Sequence, residues 1–197
     1  IVGAPGLEDS FRNKLSEKEI IKKYKIDAKK PLLIVIQHPV SEEVKKASYQ
    51  IKQTMEAIKE LKYQTIAIYP NADAGGREMI KVIEKYRKYP FLKIYKSIPR
   101  EDFAGLMKKA NVLVGNSSAG MVEASSFSLP VVNIGTRQKG RERGNNVSDV
   151  GYEKNQVKKA IEKAVNAKKR KYKNPYFMND TEEKIAKILE KLKIDKK

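Results

Sequence analysis

Residues 31–37 read P-L-L-I-V-I-Q, apolar at every position from Leu32 to Ile36 with no polar alternation. A strand apolar on both faces must be covered on both faces, as happens inside a parallel sheet. Further strand-like runs return at residues 64–69 (Q-T-I-A-I-Y), 92–98 (L-K-I-Y-K-S-I), 112–114 (V-L-V) and 130–134 (P-V-V-N-I). The segments between them have helical spacing. Across residues 41–61, Val44, Ala47, Ser48, Ile51, Met55, Ile58 and Leu61 form one stripe. Residues 76–88 and 100–110 read as further helices. Upstream, I-V-G-A-P-G (residues 1–6) ends a strand in a turn. Helices are expected over residues 7–15 and 16–24, the second with Ser16 and Glu19 at capping-box spacing. Downstream come a short strand (145–150), an amphipathic helix (152–168), a lysine-rich connector (167–174) and a helix (181–192) with Ile185, Ile188, Leu189 and Leu192 on one face. This alternation predicts an α/β fold: a Rossmann-like, mainly parallel sheet with helices on both faces and right-handed crossovers.

The chain of 197 residues suits one domain plus a tail, and residues 1–168 and 169–197 are expected to divide that way. It has no cysteine, which removes disulfides and thiol chemistry. No apolar run approaches the roughly 18 residues of a membrane span, so a cytoplasmic protein is the default. The net charge of +18 would attract an anion. The basic residues are spread over every helix, lysine exceeds arginine, and no basic cluster is interleaved with aromatic rings that could stack bases. That pattern disfavours nucleic acid and matches the charged, cysteine-free composition of heat-adapted proteins.

In an open α/β sheet, ligands sit outside the carboxyl ends of the strands. Four such ends carry polar groups. His38, the only histidine, follows the first strand and is pinned by Pro39. An imidazole there suits proton transfer, although a lone histidine is more often structural. Asn71 follows the second strand in P-N-A-D-A-G-G and serves either as a turn cap or as a ligand contact. Lys96 and Ser97 close the third. After the fourth, residues 115–123 read G-N-S-S-A-G-M-V-E, a small-residue turn opening a short helix. Amides and hydroxyls at such a turn can hold phosphate, and a carboxylate at Glu123 can accept from a ribose diol. The plainer alternative makes Ser117 a helix cap and Glu123 a solvated charge. Beyond the next strand, Arg137 and Arg141 can pair with phosphate.

Several constellations are missing. There is no G-x-G-x-x-G after a strand, no G-x-x-x-x-G-K-[ST] and no G-x-S-x-G elbow. One histidine and no cysteine leave no obvious metal site, and no cofactor is expected.

Four motifs occur in order: His38-Pro39-Val40, P-N-A-D-A-G from Pro70, G-N-S-S-A-G-x-x-E from Gly115 and P-V-V-N-I-G-T-R-Q-x-G-R from Pro130. Together they resemble the UDP-N-acetylglucosamine 2-epimerase family, over residues 1–165. H-P-V and N-S-S-A-G stand where non-hydrolysing members carry His-Arg with a carboxylate and a D-S-G-G-type turn. The chain therefore looks like the hydrolysing branch, which converts a UDP-HexNAc to UDP and the free 2-epimer, typically N-acetylmannosamine, for sialic-type acid synthesis. A related branch acts on UDP-diacetamido-trideoxy sugars.

The resemblance implies a GT-B-like enzyme of two Rossmann-like domains, of which this chain is the C-terminal, UDP-binding one. Ser117, Ser118 and Glu123 would hold ribose and diphosphate, Arg137 would pair with the nucleotide, and Asn71 with Lys96, Ser97 and Ile98 would line the uridine pocket. His38 would assist departure of UDP by anti-elimination through a glycal, which water then hydrates. The general acid/base carboxylates would come from the N-terminal domain, in cis or as a separate chain. Residues 169–197 would pack toward that domain. Alone the chain is expected to bind UDP without catalysing, and a homo-oligomer is a family expectation. Two alternatives stay open: the nucleotide domain of a GT-B glycosyltransferase, and a basic non-enzymatic binding module.

Overall fold

The computed structural model describes residues 1–8, 15–168 and 170–192. The run of residues 31–37 forms β1 (Leu32–Ile36), buried at every position. It lies inside a six-stranded sheet of order β3-β2-β1-β4-β5-β6. The other strands are β2 (Gln64–Ile68), β3 (Leu92–Tyr95), β4 (Val112–Gly115), β5 (Val131–Ile134) and β6 (Val147–Val150), and all pairings are parallel. The chain builds outward from β1 to β3, returns to lay β4 against the other side of β1, and builds outward again. Strand order therefore reverses between β1 and β4, the position where such sheets open a crevice.

Successive side chains of a strand point to opposite faces, and β1 shows why both faces need cover. Leu33 and Val35 enter one core with α2 (Ala47–Leu61), α3 (Gly76–Glu84) and α6 (Lys154–Asn166). Leu32, Ile34 and Ile36 enter the other with α1 (Glu17–Lys23), α4 (Arg100–Lys109) and α5 (Ala119–Val122). The capping box forms as expected, with Glu19 N–H donating to Ser16 Oγ at 3.3 Å and Ser16 N–H to Glu19 Oε2 at 2.7 Å. Of the helix expected over residues 7–15, residues 9–14 lie outside the described residues; Leu7 is buried in a turn.

Other expectations shift at their edges. The helix expected from residue 41 begins as a 3-10 turn, Ser41–Lys46, with Glu43 off the helical path at φ −120° and ψ 21°. No residue of that turn is buried, so no apolar stripe holds it against the sheet. α3 ends at Glu84, and residues 85–88 continue as turns. β3 ends at Tyr95, leaving Lys96, Ser97 and Ile98 in a loop. β5 and β6 are joined by a loop, residues 135–146, and not by a helix. The last helix, α7 (Thr181–Lys191), leaves Ile188, Leu189 and the following Leu192 at 52%, 61% and 58% exposure. Among the described residues no helix is long and apolar enough to cross a membrane.

Candidate functional site

The site is built where β1 and β4 end side by side. Gly115 adopts φ +128°, and a Cβ there would stand 2.0 Å from the Ile36 carbonyl oxygen. Only glycine lets β4 finish this close to β1 in that conformation. The next residue, Asn116, is 1% exposed and folds back over the junction. Its Oδ1 accepts from His38 N–H at 2.6 Å, and its Nδ2 donates to the His38 carbonyl at 2.9 Å. One side chain thus satisfies both backbone polar groups of His38 and fixes where the imidazole starts.

The ring is held from its far side. Nδ1 accepts the Asn71 backbone N–H at 3.0 Å, so in the neutral ring Nε2 carries the proton and is a donor. Burial and the Arg137 guanidinium push the imidazole down to about 4, against a smaller pull upward from Asp73. Arg137 reaches the same corner: Nη1 donates to the Asn116 carbonyl at 3.2 Å, and Nη2 stands 4.0 Å from Asp73 Oδ2. Gln138 donates to that carbonyl at 2.8 Å, and Asn71 Nδ2 donates to Asp73 Oδ2 at 2.6 Å. His38, Asn71 and Arg137, far apart in sequence, therefore meet in one hydrogen-bonded cluster. Asn71 meets the imidazole through its amide, while its side chain serves the turn.

The serines follow immediately. Ser117 Oγ accepts from Ala119 N–H at 3.3 Å, which is a capping role. Ser118, exposed, takes the N-cap position of α5 with no side-chain capping bond. α5 is a single turn before the 3-10 turn Ala124–Phe127. So short a helix has little macrodipole to offer an anion. What the turn offers is the amides of Ser117 and Ser118, ahead of the first intrahelical bond, and the Ser118 hydroxyl. Glu123 ends α5, half-buried; burial raises its carboxyl above the usual range and the Arg100 guanidinium opposes this. Lys96, Ser97 and Ile98 sit at the same edge of the sheet but in the loop that follows β3, two strands out from β1. Ile98 packs on the core, and Lys96 and Ser97 are exposed.

Three members of the cluster carry no role that the sequence alone assigns: Asn116, Asp73 and Gln138. Each lies inside one of the four motifs, but only the return of Asn116 onto His38 shows what they are for. Among the described residues no group of three or more His, Cys, Asp or Glu could hold a metal.

The neutral histidine has a testable consequence. With the folded pKa at about 4 and an unfolded value near 6.5, the unfolded chain binds more protons between those pH values. Its contribution to stability is therefore complete above about pH 6.5 and is lost as pH falls toward 4. Because the chain has one histidine, proton NMR follows it without ambiguity. The expected midpoint is near 4; a midpoint near 6.5 would show that the ring is neither buried nor close to Arg137.

The sequence matches the family model described as UDP-N-acetylglucosamine 2-epimerase over residues 1–190. A Legionella pneumophila protein named UDP-N,N'-diacetylbacillosamine 2-epimerase (hydrolyzing) is 36% identical over 189 residues, covering 95% of this chain and 50% of that protein. Among solved structures, UDP-GlcNAc 2-epimerase from Neisseria meningitidis bound to UDP-GlcNAc aligns with a TM-score of 0.77 at 16% identity, covering 98% of this chain and 55% of that one. An ADP-heptose lps heptosyltransferase II from E. coli aligns at 0.55 and 10% identity, covering 77% and 52%. At these identities the structures establish the fold, a Rossmann-like half of a GT-B-type architecture. The chain spans about half the length of the relatives it matches.

Proposed function

The chain belongs to the UDP-N-acetylglucosamine 2-epimerase family, and from that premise we propose that it is the nucleotide-binding half of a hydrolysing UDP-HexNAc 2-epimerase. The observation that carries this is the corner where Asn116 fixes His38 and Arg137 beside the amides of Ser117 and Ser118. Diphosphate oxygens would take the Arg137 guanidinium, those amides and the Ser118 hydroxyl. Ribose hydroxyls would donate to Glu123. Asn71 with Lys96, Ser97 and Ile98 would border the uracil.

The chemistry follows from what leaves. Removal of the C2 proton and cleavage of the C1–O bond to UDP give a glycal, placing the released charge on the diphosphate. Donors already aimed at that charge stabilise it without reorganising. His38, kept neutral with its proton on Nε2, supplies one such donor. Water then adds across the double bond, OH to C1 and H to C2 on the opposite face. The proton transfers at C2 fall to carboxylates of the N-terminal half, toward which residues 169–197 would carry the exposed side of α7. A cytoplasmic setting and self-association belong to the same proposal.

The test uses the two-domain protein with a UDP-HexNAc and no acceptor in D2O. Release of UDP with a free 2-epimerised sugar bearing one solvent deuteron at C2 is expected. An intact UDP-sugar, with transfer only when an acceptor is added, would favour the glycosyltransferase alternative.

A further inference from the structure

Beneath the site lies a carboxylate that the proposed chemistry does not use. Glu43 is half-buried in the 3-10 turn five residues after His38, at the one position of that turn with non-helical dihedrals. Its Oε1 accepts from Thr136 Oγ1 at 3.2 Å, and its Oε2 accepts from Nε2 of the buried Gln50 on α2. Thr136 directly precedes Arg137. The backbone there is pressed from below: a Cβ on Gly135, at φ +76°, would lie 2.2 Å from the Tyr152 ring and hydroxyl. The Tyr152 hydroxyl is buried without a well-formed hydrogen bond, and Thr136 and Glu43 are the polar groups it faces. Thus a charged group on the loop that begins with His38 grips the loop that carries Arg137, while α2 and the residues entering α6 hold both.

We propose that Glu43 is a positioning residue, which by holding Thr136 sets Arg137 against His38 and so prepares the diphosphate cradle. The placement is difficult to explain as stability alone. A solvated lysine partner is the ordinary use of a glutamate in a basic chain, and Lys45 and Lys46 lie two and three residues away. Glu43 instead spends its two oxygens on neutral donors from two other elements. A carboxylate accepts stronger hydrogen bonds than a neutral oxygen, which suits a tie between loops. This rests on the proposed UDP site, but the geometry of His38 can be followed without UDP.

The experiment compares wild type, Glu43→Ala, Glu43→Gln and Thr136→Ala by NMR titration of His38, UDP calorimetry and thermal unfolding. The groups that face the imidazole and could move its titration are Arg137, Asp73 and Asn71, all left in place. Glu43→Ala and Thr136→Ala are expected to shift the His38 midpoint upward, as Arg137 drifts away, and to weaken UDP binding about tenfold. Glu43→Gln keeps one acceptor, enough for Thr136 but not for Gln50 as well, and is expected to restore part of both. Thr136 is exposed, so its variant carries the test if Glu43→Ala does not fold. Unchanged His38 midpoints in the folded variants would overturn the inference, as would a Glu43→Gln no better than Glu43→Ala. If wild type binds no UDP either as this chain or in the two-domain protein, the functional proposal fails, and the His38 comparison still decides the role of Glu43.

Discussion

Gly115→Ala is expected to unfold the domain or leave it barely stable. The new Cβ would stand 2.0 Å from the Ile36 carbonyl oxygen and 2.5 Å from its carbon. Those atoms belong to β1, buried at the centre of the sheet and paired on both sides, so they have nowhere to yield. The φ of +128° adds strain of about 1–3 kcal/mol for any residue with a side chain. With the clash, the loss should exceed about 4 kcal/mol, at the exceptional end for single substitutions. Set against a total stability of about 5–15 kcal/mol, urea unfolding should show little or no native baseline. A midpoint close to wild type would mean that β1 and β4 do not approach as described. The contrast is Gly140, which has φ +77° and no atom within 4 Å of where a Cβ would sit. Alanine there should cost only the conformational strain.

Asn116→Ala is the second large effect and separates stability from binding. The substitution leaves the His38 N–H and carbonyl without their partners in a part-buried place. An orphaned buried polar group costs about 1–3 kcal/mol, so a loss of about 2–4 kcal/mol is expected from the pair. The residue keeps its backbone carbonyl, so Arg137 and Gln138 retain their acceptor. His38, released, should then titrate closer to its ordinary value, and UDP affinity should fall at least about tenfold. Urea unfolding and calorimetry on one preparation check both. Asn116→Asp should be no rescue, because a carboxylate accepts from the amide but can only repel the His38 carbonyl.

Much of the fold is legible in the sequence because its cause is local. Continuous apolar runs such as Leu32–Ile36 need cover on both faces, and the helical stripes between them supply it. The candidate site is legible in part for the same reason: His38 and Ser117 stand just past strands, and strand ends are where an α/β sheet presents its ligands. The rest depends on which strands become neighbours. Asn116 looks like one more small polar turn residue until β4 lies against β1. Only then can its amide close on a backbone 78 residues away. Glu43 lies off the apolar stripe of the helix expected over residues 41–61; it binds Thr136, 93 residues on, because the turn around it leaves the helical path. Phosphate binding by a helix terminus loses ground for a physical reason too: α5 turns into a 3-10 segment after four residues, so local amides replace a macrodipole. The apolar side of α7 is plain from its helical spacing, yet nothing local says what should cover it.

The junction of β1 and β4 is the proposed UDP site. Calorimetric titration of this chain with UDP at moderate salt, wild type beside Ser118→Ala and Glu123→Ala, tests it most directly. Saturable one-to-one binding by wild type, weakened by both substitutions while both variants stay folded, is the predicted result. A folded wild type that binds no UDP, here and again in the two-domain protein, would contradict it.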